Sequence, residues 1–276
     1  MNLTSSFLFS TFCRFFFLPF TLTFLLPLTS PTWLIANQFK TLHDSWSEPT
    51  DVTDRCGAVV RRDPTKKEIY LIFSADVLFE GGTKVLDVLK KHHSLGSFFL
   101  TGNCLRMPEH RQLIQRIIRE GHYVGPHSDK HLLYASWEDR EKTLVGGDSL
   151  RNDILLNVKE LEKAGVTADK QQWFLPPYEY YNEETVKISA SLGLKVINLT
   201  PGSLTNADYT TPSMNNYRSS QTLIDHVMDM ETKGLLNGAI LLIHPGVSAG
   251  RPDKLYNRLD ELMTTLIEKG YVFKRF

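Results

Sequence analysis

The sequence is poor in cysteine, with thiols only at positions 13, 56 and 104. Its folded part therefore has room for at most one disulfide, Cys56 with Cys104, and the alternative is two buried hydrophobic thiols. It has no surplus charge of either sign, since 31 lysines and arginines face 31 aspartates and glutamates. Without a basic excess, nucleic acid is excluded as a partner, and there is no acidic tail. Beyond the first 28 residues there is no second long apolar run, no repeat of fixed period and no low-complexity linker, which leaves one folded body. What is present, 42% hydrophobic and 22% charged residues over 276 positions, is the composition of a well-cored globular protein of enzyme size.

The first residues are a different material. Half of the 16 phenylalanines fall within residues 1–24, where Arg14 is the only charge. A mostly apolar stretch over 15–28, broken by Pro19 and Pro27, is short for a membrane span of roughly 20 residues but suits the core of a secretory signal. Residues 1–36 are read as a signal peptide, 37–66 as an N-terminal extension and 67–276 as the functional domain. The expected location is secreted or periplasmic, with anchoring by an uncleaved N-terminal segment as the alternative.

Within 67–276, strand patterns run over 69–74, 97–101, 123–125, 173–175, 195–199, 238–244 and 271–274. Helical patterns alternate with them over 85–92, 111–120, 150–164, 183–192, 221–233 and 254–269, several closed by Gly121, Gly165, Gly193, Gly234 or Gly270. Such alternation predicts an α/β fold, with a parallel sheet covered by helices, either open and doubly wound or closed as a barrel. In both arrangements chemistry gathers at the carboxyl ends of the strands.

The polar residues expected there form a short set. Asp76 follows the first strand, His127 and His131 follow the third, and His244 closes the apolar run over 239–243. The spacing of four between His127 and His131 predicts two imidazoles on one side of a helical turn, as a divalent metal requires, and Asp76 would complete a three-ligand set with a position open for water. A pentapeptide from Gly246 to Gly250 satisfies the Gly-x-Ser-x-Gly pattern of serine hydrolases, but no histidine follows His244, and the triad order of that class excludes it.

Three segments, His127-Ser128-Asp129-Lys130-His131, Ser97-Phe98-Phe99-Leu100-Thr101-Gly102 and Leu242-Ile243-His244, together resemble the polysaccharide deacetylases of the NodB-homology type, carbohydrate esterase family 4. The resemblance spans roughly 67–276 and implies a distorted (β/α) barrel of about seven parallel strands. It also implies a divalent metal held by Asp76, His127 and His131, with zinc the first choice for two imidazoles and a carboxylate, and nickel, cobalt or iron also suited. That metal would activate water against an N- or O-acetyl group on a carbohydrate substrate, while His244 protonates the leaving group. Asp208 is expected to hydrogen-bond His244 and raise its pKa, and Pro177, Tyr178 and Glu179 are expected to line the substrate.

Two departures go together. Where the family carries two adjacent aspartates, base then metal ligand, this chain reads Ser74-Ala75-Asp76, which puts alanine in the base position if Asp76 takes the metal role. Where the family carries an arginine that orients the base, it reads Leu175-Pro176-Pro177-Tyr178. A divergent metal-dependent deacetylase, assisted by Glu80, Asp129 or Glu179, is one reading. A catalytically impaired glycan-binding descendant that stacks Tyr178, Tyr180, Tyr181 or Tyr209 on sugar rings is the other. The survival of Asp76, His127, His131 and His244 favours the hydrolase.

Overall fold

The computed structural model describes residues 50–276; the segment read as a signal peptide and residues 37–49 lie outside the described residues. In chain order the elements are β1 (Val52–Thr53), β2 (Val59–Arg61), β3 (Glu68–Ala75), α1 (Gly82–Lys91), β4 (Ser97–Leu100), α2 (Gly102–Arg106), α3 (Arg111–Arg119), β5 (Tyr123–Pro126), α4 (Gly147–Ala164), β6 (Trp173–Phe174), α5 (Glu183–Ser191), β7 (Lys195–Val196), α6 (Ser220–Thr232), β8 (Ala239–Ile243), α7 (Leu259–Glu268) and β9 (Val272–Lys274).

The apolar runs become the central strands. In β3, Leu71, Ile72 and Phe73 are fully buried, as a strand covered on both faces requires. It pairs in parallel with β4, β8 and β9, and the sheet runs β1-β2-β8-β3-β4-β5 with β9 beside the first half of β3. Only β2 breaks the direction within this central group, lying antiparallel to β8. The small parallel sheet of β6 and β7 spans the remaining gap. At one side the Leu175 amide donates to the Pro126 carbonyl, and at the other Asn198 donates to Val59, beside a bridge between Val59 and Ile197. The ring of strands is a distorted barrel, as expected, and residues 50–66 supply two of its strands.

Alternation along the strands divides the core. Ile72, Phe99, Ile240 and Leu242 fill the barrel with Val59, Trp173, Leu175 and Ile197. Their neighbours Leu71, Phe73, Phe98, Leu100, Leu241 and Ile243 face outward to a layer closed by α1, α3, α6 and α7. Ala75 belongs to that outer layer, so the residue in the expected base position packs against helices. Helix ends follow the glycine signals, most clearly at Gly165, whose left-handed φ of 101° lets its amide and that of Val166 close back on Glu162 and Leu161. The pattern over 254–269 divides into a 3-10 turn and α7. Cys56 and Cys104 are buried free thiols in separate clusters, which selects the second of the two cysteine readings. No helix among the described residues is long and apolar enough to cross a membrane.

Candidate functional site

Four of the predicted residues follow strand ends on one face of the barrel: Asp76 after β3, His127 and His131 after β5, and His244 after β8. The Asp76 carboxylate accepts hydrogen bonds from Thr101 Oγ1 at 2.8 Å and Asn103 Nδ2 at 3.1 Å. Thr101 also accepts from the Cys104 amide and so caps α2.

His127 is buried, and its Nδ1 bonds the Leu175 carbonyl at 2.7 Å. A carbonyl can only accept, so Nδ1 carries the proton and Nε2 is left as the free lone pair. The expected helical turn between His127 and His131 is absent. Ser128 and His131 take left-handed φ values of 72° and 55°, because the loop is shaped by α4 rather than by its own ladder. Asn157 accepts from the His127 amide, while Asp153 accepts from the Lys130 amide and from the Tyr134 hydroxyl. Asp153 and Asn157, four apart on the buried face of α4, were the sequence signal for this tie. The two imidazoles end with ring centroids 5.1 Å apart and planes at 64°. Burial holds both below the ordinary histidine range, well below for His127, so both are neutral at pH 7.

That pair does not extend to the expected ligand set. Among the described residues no group of three or more histidine, cysteine, aspartate or glutamate side chains is arranged to hold a metal ion. Thr101 and Asn103 both donate to Asp76 Oδ1, which orients the carboxylate and leaves Oδ2 open, and the Asp76 charge reaches His131 as a field that partly offsets burial. As placed, Asp76, His127 and His131 do not form a closed ligand set, while the open Asp76 Oδ2 and the His127 Nε2 lone pair are donors of the kind a divalent metal takes.

The expected contact between Asp208 and His244 is present. Asp208, in the 3-10 turn Thr205–Tyr209, accepts from His244 Nδ1 at 2.5 Å and from the His244 amide at 2.8 Å. Burial alone would lower the His244 pKa, but the Asp208 charge and hydrogen bond, with Glu179 adding to the field, raise it to about 9. At neutral pH His244 is an imidazolium with a proton to give. Arg251, fully buried, fixes the turn that carries Asp208 by donating to the carbonyls of Thr210, Arg218 and Asp253. No sequence signal marked it for this work.

The third motif forms the turn Pro177–Glu179 after β6. Pro177 is buried and shapes the loop, whereas Tyr178 is exposed and packs on His131 with centroids 4.4 Å apart. Tyr178 and Glu179 both take left-handed backbone, at φ 59° and 53°. Glu179 is partly buried, hydrogen-bonded by Asn206 and within the field of His244 and Asp208; burial raises its carboxyl pKa. Of the other carboxylates considered, Glu80 is held by Lys254, Tyr256 and the Val247 amide, and Asp129 by Arg106.

The aromatics separate by burial. Tyr181 is core, and Tyr180 is partly buried. Tyr209 is exposed and meets the His244 ring edge-on at 6.0 Å. Trp137 belongs to the same mouth. It is 57% exposed, 4.4 Å from Tyr180 and 5.9 Å from Tyr178 between centroids. A lone tryptophan in a polar loop gave no sequence sign of this placement.

Comparison with known proteins agrees with this geometry. The polysaccharide deacetylase family profile matches residues 61–197. An uncharacterised 30.6 kDa protein of Geobacillus stearothermophilus is 32% identical over 236 residues, covering 84% of this chain and 77% of that protein. The peptidoglycan-N-acetylmuramic acid deacetylase PdaA of Bacillus subtilis is 29% identical over 234 residues, 84% of this chain and 78% of PdaA. The solved structure of PdaA, a family 4 carbohydrate esterase, superposes with a TM-score of 0.61 at 27% identity over 86% of each chain. BA3943 of Bacillus anthracis, described as a pseudoenzyme of carbohydrate esterase family 4, superposes at 0.62 and 25% identity over 79% of this chain and 67% of its own. With the barrel, the strand-end histidines and the Asp208–His244 couple in the expected places, this chain is a divergent member of the polysaccharide deacetylase family.

Proposed function

We propose that this protein is a hydrolase that removes N- or O-acetyl groups from a carbohydrate. The observation that carries the reading is the Asp208–His244 couple at the carboxyl end of β8. A deacetylation needs a proton delivered to the departing nitrogen or oxygen as the tetrahedral intermediate collapses. His244 is protonated at neutral pH and is oriented through both its ring and its amide by one carboxylate. The exposed rings of Trp137, Tyr178 and Tyr209 would take the flat faces of sugar units beside it. Asp76, His127 and His131 would hold a divalent metal if one is bound, and it would supply the activation of the attacking water.

Relatives named as peptidoglycan deacetylases support an acetylated cell-wall glycan as the first substrate to test, and a site of action outside the cytoplasm. A second reading, a glycan-binding pseudoenzyme, is favoured by Ala75, which stands in the family's base position if Asp76 takes the metal role, and by Leu175, which stands where the family carries the arginine partner. The two separate in one assay. Acetate release from acetylated chito-oligosaccharides, xylo-oligosaccharides or peptidoglycan fragments supports the hydrolase, whereas saturable binding of these glycans without acetate supports the pseudoenzyme.

A further inference from the structure

We infer that Arg106 is a positioning residue of this site: its one guanidinium, at the end of α2, holds the Asp76 carboxylate and the histidine loop 127–131 in register with each other. The inference rests on the deacetylase reading and goes beyond it, because it assigns work to a residue set behind the groups that meet the substrate.

Every link is a direct contact. Arg106 Nη1 donates to Asp129 Oδ1 and Nη2 to the Asp129 carbonyl at 3.4 Å, so the guanidinium grips the residue midway between His127 and His131. Nη2 also donates to Asn103 Oδ1 at 3.0 Å. A guanidinium offers only N–H donors, so the Asn103 oxygen must face it. The amide nitrogen of Asn103 is thereby turned to Asp76, where it donates to Oδ1 at 3.1 Å, beside the bond from Thr101 to the same oxygen. Two donors on one oxygen fix the rotation of the Asp76 carboxylate and leave Oδ2 open. A flipped Asn103 would set its carbonyl against Oδ1, and Arg106 is what forbids the flip.

The backbone brings the same parts together. The Thr101 amide donates to the Ala75 carbonyl, and the Gly102 and Asn103 amides donate to the carbonyls of Ser128 and Asp129 at 3.0 and 3.1 Å. Glycine is required at 102, since a Cβ there would lie 1.8 Å from Asp129 Oδ1 and 2.7 Å from Arg106 Nη1. The loop is thus held by α2 on one side and by Asp153 and Asn157 of α4 on the other. Arg106 has two duties here. It supplies the cation for Asp129, whose side chain is only 5% exposed, and it supplies the fork that reaches Asn103. A lysine can replace the charge but not the fork.

Arg106→Ala, Arg106→Lys and Asn103→Ala, made in the full chain, separate the two duties. Arg106→Ala should lose about 10- to 100-fold in kcat with KM within about two-fold, the effect of a displacement of about 1 Å at the reacting groups. It should also melt below wild type, because Asp129 loses its cation. Arg106→Lys should recover most of the melting temperature and little of kcat. Asn103→Ala should lose about 10-fold in kcat while melting near wild type. Because the Arg106 side chain is 42% exposed, guanidinium added at a non-denaturing concentration should restore part of kcat to Arg106→Ala. Nitrogen–proton correlation spectra test the clamp without turnover. The Asn103 side-chain amide signal, identified by its loss in Asn103→Ala, should be displaced in both Arg106 variants. If Arg106→Ala does not fold, Arg106→Lys and Asn103→Ala carry the test. Wild-type kcat in Asn103→Ala or Arg106→Ala, full recovery of kcat in Arg106→Lys, or an Asn103 signal that no Arg106 variant moves, overturns the assignment. A wild-type protein that releases no acetate, with the Asn103 signal displaced in the Arg106 variants, overturns the deacetylase reading and leaves the clamp standing.

Discussion

Replacing Asp208 with asparagine should move the alkaline limb of catalysis by more than two pH units. Asp208 is wholly buried and His244 is 18% exposed, so their interaction is weakly screened. Burial alone would push His244 below 6.5, yet its pKa stands at about 9. The upward displacement from 6.5 corresponds to about 3 kcal/mol, at about 1.4 kcal/mol per unit. Asparagine keeps the shape and one acceptor but removes the charge. If the pKa falls back to about 6.5, the imidazolium fraction at pH 8 drops from about 0.9 to about 0.03. The rate should then fall roughly 30-fold at that pH and only about 1.3-fold at pH 6. Stability carries the same signature. A histidine raised above its unfolded pKa stabilises the fold fully below about pH 6.5, and that contribution is lost as pH rises through about 9. The assay is kcat/KM from pH 5 to 10 for both proteins, with urea unfolding at each pH. An Asp208→Asn protein with an unmoved alkaline limb would refute the coupling of these residues.

Three other perturbations separate parts of the site. Trp137→Ala should raise KM for an oligosaccharide by about 3- to 10-fold with little change in kcat or stability, because the ring is 57% exposed; a fall in kcat at constant KM would contradict a stacking role. Arg251→Met should cost roughly 3 kcal/mol or more in denaturant unfolding, since one buried and two partly buried carbonyls lose a charged donor that is itself fully buried; a loss below about 1 kcal/mol would contradict its anchoring role. Zinc added to chelator-treated protein should come away on desalting while Asp76 and the two imidazoles stay as placed, since they are not gathered into one ligand set. Stoichiometric zinc that survives desalting, and is lost in Asp76→Ala, would show that the loops rearrange to close a three-ligand site.

The barrel was legible where burial is continuous. The apolar runs of β3, β4 and β8 are covered on both faces, and such strands announce themselves without partners. The short β1 and β2 carry too few residues for a pattern and are strands only because β8 offers an edge. The same division runs through the site. Asp76, His127 and His244 were readable because strand ends are readable. The loop 127–131 was not, since side chains from α4 more than twenty residues away decide its backbone. Glu179 stood in the sequence as a motif neighbour, but its company of Asn206, Asp208 and His244 comes from other loops. Arg251 and Trp137 take their meaning from segments brought together only by folding.

The central claim is that this site removes acetyl groups. Acetate released from acetylated chito-oligosaccharides, xylo-oligosaccharides and peptidoglycan fragments, by the wild-type protein and by His244→Ala, tests it most directly. The account predicts catalytic acetate release from at least one of these glycans by wild type, and a loss of about 10²-fold or more in the variant with glycan binding retained. Binding of the same glycans with no acetate above the uncatalysed rate, or equal turnover by His244→Ala, would contradict it.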